Sequence, residues 1–154
     1  MAVSALAANA DRPSKEAGGI IEVPLAKEVE EFYKGALIMA DSSGYAIVGA
    51  DTASCKFLGV AVEHISITTQ DAADGTSKIR VYTKGDFLIG HNTGDAAVTS
   101  QGTIMCLVND NAVDDVTATT NDIECGVITQ WKDADEVWVR IDDYSMGKVL
   151  VAAS

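Results

Sequence analysis

No apolar run in this chain lasts more than a few positions, far short of the ~20 residues a helix needs to cross a bilayer. Basic residues are also scarce, with 11 Lys and Arg against 23 Asp and Glu for a net charge of −12. That deficit argues against gripping a phosphate backbone, which takes clustered Lys and Arg, and against adsorption to anionic lipid. Neither a nucleic-acid nor a membrane partner is expected. An acidic surface of this kind repels its own copies until specific contacts form.

The three cysteines, Cys55, Cys106 and Cys125, lie 51 and 19 residues apart. This spacing provides neither a paired disulfide framework nor a zinc knuckle. Each sits in or beside an apolar, strand-like run, so buried free thiols in a reducing compartment are expected. Only two histidines occur, His64 and His91. Ser66 or Cys106 could in principle pair with one of them, but nothing in the spacing brings such a pair together, and both histidines read as surface or turn residues. The sequence has no Gly-x-Ser-x-Gly elbow and no His-Glu-x-x-His helix, and the segment between Gly85 and Gly90 lacks the Lys-Ser/Thr ending of a phosphate loop. The acidic segment Asn109–Asp115 matches no register of a calcium-binding loop and reads as an Asx-rich turn. No catalytic, cofactor or metal site is expected. Ala8-Asn9-Ala10 imitates a signal-peptidase site but lacks a basic region and an apolar core before it, so export by that route is not expected.

What the chain does have is short apolar segments separated by Gly, Asp, Asn and Ser, the signature of an all-β domain. A length of 154 residues suits one domain with its own core. Residues 1–19 are rich in Ala, Ser and Gly without periodicity and read as a flexible N-terminal arm, free or ordered on a neighbouring subunit. Residues 20–145 form the β-rich domain, and residues 146–154 a second, shorter flexible tail. A first strand ends at Pro24, and Val29 and Phe32 at i, i+3 spacing suggest a helical turn over residues 26–32. Ala36–Ala40 and Tyr45–Val48 flank Asp41-Ser42-Ser43-Gly44, a hairpin signal. Lys78–Lys84 alternates, with Ile79 and Val81 on one face. A second hairpin joins Cys125–Thr129 to Glu136–Ile141 across Lys132–Asp135. About ten short strands at near-regular spacing point to a small β-barrel or β-sandwich.

Two large rings fall on faces that otherwise read as polar: Trp138 among Glu136, Arg140 and Asp142, and Tyr82 among Lys78, Arg80 and Lys84. Exposed rings mark an interface, unless a loop or the N-terminal arm of the same subunit covers them. The apolar arm residues Val3 and Leu6 join Tyr82, Trp131, Trp138 and Arg140 as the candidate protein–protein interface. A carbohydrate-binding or adhesion module using Trp131, Trp138 and Tyr82 is the alternative.

Tyr33-Lys34-Gly35-Ala36-Leu37-Ile38, the Asp-Ser-Ser-Gly-Tyr hairpin after it, Ala50-Asp51-Thr52-Ala53 leading into Phe57-Leu58-Gly59-Val60-Ala61, and Lys84-Gly85-Asp86-Phe87-Leu88 resemble in order and spacing the capsid decoration, or cement, proteins of tailed bacteriophages. Gly126-Val127-Ile128 and Val137–Ile141 fit the same pattern, and the likeness spans about residues 20–142. The resemblance implies a small β-rich, non-enzymatic virion protein, made in the host cytoplasm and bound to the outer capsid surface. Its partner would be the major capsid protein, and it would act as a homo-oligomer with a trimer favoured. No cofactor or catalytic residue carries over.

Overall fold

The computed structural model describes residues 3–142, and the fold over them is nearly all β. In chain order the strands are β1 (Ser14–Gly18), β2 (Ile21–Pro24), β3 (Glu30–Phe32), β4 (Leu37–Ala40), β5 (Ala46–Val48), β6 (Lys56–Ala61) and β7 (Ile65–Ile67). They continue with β8 (Lys78–Tyr82), β9 (Lys84–His91), β10 (Ile104–Asn109), β11 (Ala112–Asp114), β12 (Glu124–Trp131) and β13 (Glu136–Ile141). Two short 3-10 turns, Val98–Ser100 and Val116–Ala118, lie in the connections.

Five of these strands close on themselves in the order β9-β11-β10-β12-β13 and back to β9, forming a small barrel. All of its seams are antiparallel except β9–β11, which is parallel and registers only Ala112 with Gly90 and Val113 with His91. Register shifts within the β10–β12 and β12–β13 pairs mark bulges, which bend strands enough to turn a sheet into a wall. Closure leaves the barrel few free edges, the usual β-protein remedy for unpaired backbone groups.

A second, five-stranded sheet, β2-β8-β6-β4-β5, stands beside the barrel and is apolar on both faces. Side chains alternate across a strand, so in β4 Leu37 and Met39 join the barrel core with Phe57, Phe87, Ile89 and Val139. Ile38 points the other way, into a second core with Leu25, Phe32, Ile67, Ile79 and Val81. That division explains why all of β4 is buried, a run that alternation against a single core would have broken. The β3–β7 ribbon and Leu6 help cover the second core. Each fully buried Leu, Ile or Phe contributes roughly 1.5–3 kcal/mol relative to an exposed one.

Both hairpins expected from turn chemistry are present. In the first, Asp41 Oδ1 accepts from the Ser43 and Tyr45 N–H groups and closes the β4–β5 turn. In the second, Asp133 Oδ1 does the same for Asp135 and Glu136. The three thiols are free and buried. Burial pushes Cys106 up to about 12 and Cys125 well above the ordinary thiol range, so neither is a nucleophile at neutral pH.

Three segments differ from the sequence expectation. Residues 26–32 hold no helical turn: Phe32 is buried and Val29 is 58% exposed, and Glu30–Phe32 pair with β7 instead. The stretch read as an Asx turn over Asn109–Asp115 holds that turn only at its start, where Asn109 Oδ1 accepts from the Asn111 N–H, and continues as β11, buried throughout. Within the span expected to be a free arm, Ser14–Gly18 pairs with β9, and what precedes it is pinned by polar contacts rather than by apolar periodicity. Arg12 donates from Nε to the Gly35 carbonyl, from Nη1 to the Leu88 carbonyl and from Nη2 to Asn111 Oδ1, at 2.7, 2.7 and 2.9 Å. One planar guanidinium thereby ties this segment to both the barrel and the second sheet. Burial lowers its pKa to about 10, against the opposing charges of Asp110 and Glu136, and it stays charged at neutral pH. The tail expected over residues 146–154 lies outside the described residues.

Candidate functional site

The outer wall of the barrel gathers the most coherent surface patch. In register, Lys15 of β1 faces Asp86 of β9, Asp86 faces Arg140 of β13, and Trp138 faces Gln130 of β12. Arg140 grips Asp86 with both ends of its fork, Nε to Oδ1 at 2.8 Å and Nη2 to Oδ2 at 3.1 Å. The Asp86 carboxylate raises the Arg140 pKa further. Lys15 Nζ sits 4.3 Å from the Trp138 ring centroid and donates to Gln130 Oε1 at 2.9 Å. The result is a half-exposed plate of one indole and two cations, Arg140 paired with Asp86 and Lys15 held by the Gln130 amide and the Trp138 ring.

Of the six candidate interface residues, the structure brings Trp138 and Arg140 together here and leaves the others apart. The chain's own N-terminal segment covers Trp138, through Lys15. Trp131, on the same strand as Gln130 but on the opposite face, packs its ring against the barrel core and donates Nε1–H to the Ala96 carbonyl at 3.1 Å. A flat two-tryptophan sugar platform is therefore not formed. Tyr82 leans on Phe87, ring centroids 5.9 Å apart, in a cleft whose other wall includes Ala10, Asp11 and Arg12. Val3 is tied through its N–H to Asn92 Oδ1 and through its carbonyl to Asn109 Nδ2. The Leu6 N–H donates to Asp110 Oδ1 at 2.8 Å.

His64 lies at the surface, stacked on Tyr33 and hydrogen-bonded to Glu31. Ser66 Oγ donates to the other oxygen of Glu31 at 2.7 Å rather than to the imidazole. Without a hydroxyl–imidazole contact this trio lacks the nucleophile–base link that acyl transfer requires. The bonds from Ser66 and His64 hold the Glu31 carboxyl below its ordinary value.

His91 departs from expectation, being 1% exposed at the end of β9, where the parallel seam sets it beside Val113 and next to Asp114. His91, Asp114 and Asp115 each bring a potential ligand atom within 4.8 Å of the others. Their separation in sequence hides this cluster; the signal was present only as a histidine at the end of one apolar strand and an Asp-Asp pair at the end of another. Comparison with known proteins finds no matching family model, curated protein or solved structure.

Proposed function

We propose that this chain is a non-enzymatic virion structural protein that binds the outer surface of a tailed-phage capsid and stabilises contacts between major capsid subunits, acting as a homo-oligomer, preferably a trimer. The observation that carries the reading is the order of strand-and-turn signatures: Tyr33–Ile38 opening β4, the Asp41–Gly44 turn, Phe57–Ala61 in β6 and Lys84–Leu88 in β9. Supporting it, Arg140 and Asp86 on the barrel wall are paired with each other.

The physical role follows from mass action. A protein that binds only the assembled lattice stabilises that lattice in proportion to its occupancy. Linked copies gain further from effective concentration. The plate around Trp138 and Arg140 supplies the residue types that dominate protein interfaces, and the surplus of acid keeps decorated particles from adhering to one another.

Co-sedimentation tests this reading directly. Purified protein mixed with expanded capsids that lack it should pellet with them in saturable, stoichiometric amounts, and Trp138→Ala should weaken the uptake. Protein that stays in the supernatant at saturating concentration would rule the reading out.

A further inference from the structure

We propose that His91, Asp114 and Asp115 bind one divalent transition-metal cation of the zinc type, clamped across the parallel seam between β9 and β11. The seam itself is the first reason. Two registered pairs are all that join these strands, and the side chains that follow the last pair, His91 on one strand and Asp114 and Asp115 on the other, converge within 4.8 Å.

A second, independent observation is the state of the imidazole. His91 is buried, and its Nδ1 has no hydrogen-bond partner, a rare condition for a buried polar atom. Its Nε2 stands 3.6 Å from Asp114 Oδ1 and its Nδ1 3.6 Å from Asp95 Oδ1. Both distances exceed a hydrogen bond. The first is close to the spacing of about 3.4 Å that a nitrogen and an oxygen adopt when both ligate one tetrahedral cation at roughly 2.1 Å.

The remaining contacts fit a prepared site. Asp114 is fixed in orientation: its Oδ2 accepts from the Thr93 N–H at 2.9 Å and from the Thr93 hydroxyl, and its Oδ1 accepts from the Asp115 N–H at 2.8 Å. Asp95 stands on the Nδ1 side of the ring, where a histidine that ligates through Nε2 commonly has a carboxylate partner. Asp115 also lines an open groove with Ser100, Thr103 and Thr117, which gives the ion a route in and leaves a position for water.

The donor set selects the class of ion. Two carboxylates balance a divalent charge, and one imidazole favours zinc-type metals, whereas calcium and magnesium require more oxygens than the three residues provide.

The test uses the full-length protein, stripped with a chelator, dialysed and titrated with Zn2+ in a calorimeter at neutral pH. One ion per chain is expected, and Asp115→Asn and His91→Gln should each weaken binding at least about tenfold. Metal-free Asp115→Asn, at a partly exposed position, should melt where the metal-free parent does, which separates loss of a ligand from loss of fold. X-ray absorption of the loaded protein should show a single imidazole in the first shell. Failure to take up zinc, undiminished binding in Asp115→Asn, equal binding of calcium, or a first shell without nitrogen would each overturn the proposal.

Discussion

The backbone of one strand presses most closely on the Cα of a glycine in another at two places, and neither contact leaves room for a side chain. A Cβ on Gly126 would lie 2.0 Å from the Arg140 carbonyl oxygen, and one on Gly59 would lie 2.0 Å from that of Tyr82. Backbone cannot yield as a flexible side chain does, so Gly126→Ala and Gly59→Ala should each lower unfolding stability by about 1–3 kcal/mol, read from urea denaturation midpoints. A single residue also sets a pH response. Burial pushes the Asp110 carboxyl up, against the Leu6 N–H bond and the Arg12 charge. A raised carboxyl means that the fold holds its proton more tightly than the unfolded chain does. This group's contribution to stability is therefore full below the unfolded carboxyl range and is lost as pH rises through the folded value. Asp110→Asn keeps an acceptor for Leu6 and removes the titration. Its melting temperature should fall less steeply than the parent's from acid to neutral pH, and parallel curves would assign the pH response to other groups.

Among the elements, β1 depends most on contacts outside itself. Its side chains are largely exposed, and its register with β9 shifts between Lys15 and Gly18, so its place rests on Arg12 upstream and Lys15 within it. Arg12→Ala removes three charged hydrogen bonds and strands two carbonyls. A loss of about 2–4 kcal/mol is expected, together with faster amide exchange over Ser14–Gly18. Lys15→Ala removes the cation from the Trp138 face and should cost only about 0.5–1 kcal/mol. The same contrast explains what could be read from the sequence. Asp41-Ser42-Ser43-Gly44 and Lys132–Asp135 announce their hairpins because the turn chemistry is local, and Ile79 and Val81 show their buried face by simple alternation. By contrast, β1 and β11 carry no such mark. A guanidinium reaching two sheets holds the first, and the second, besides its antiparallel pairing with β10, is held by a parallel partner, Ala112 registering with Gly90 and Val113 with His91. For the same reason the His91 cluster was illegible: a turn histidine becomes a buried one only when β9 and β11 are laid side by side. On the surface, the sequence put Trp138 and Arg140 on one face, as the structure does, but it could not tell that Lys15 would cover the indole or that Trp131 would turn inward.

At the scale of the whole molecule, a closed barrel and a two-faced sheet share one chain, bound together by the Leu37–Met39 side of β4 and by the Arg12 bridge. The barrel resists deformation because its five strands are tied at both edges, a property that the proposed clasp between subunits under load requires. The function proposed for the chain is that mechanical grip on other protein surfaces. Calorimetric scans of capsids lacking the protein, recorded at increasing occupancy by the purified chain, test this most directly. The capsid disruption temperature should climb with occupancy and level off at saturation, whereas a disruption temperature unmoved by bound protein would contradict the account.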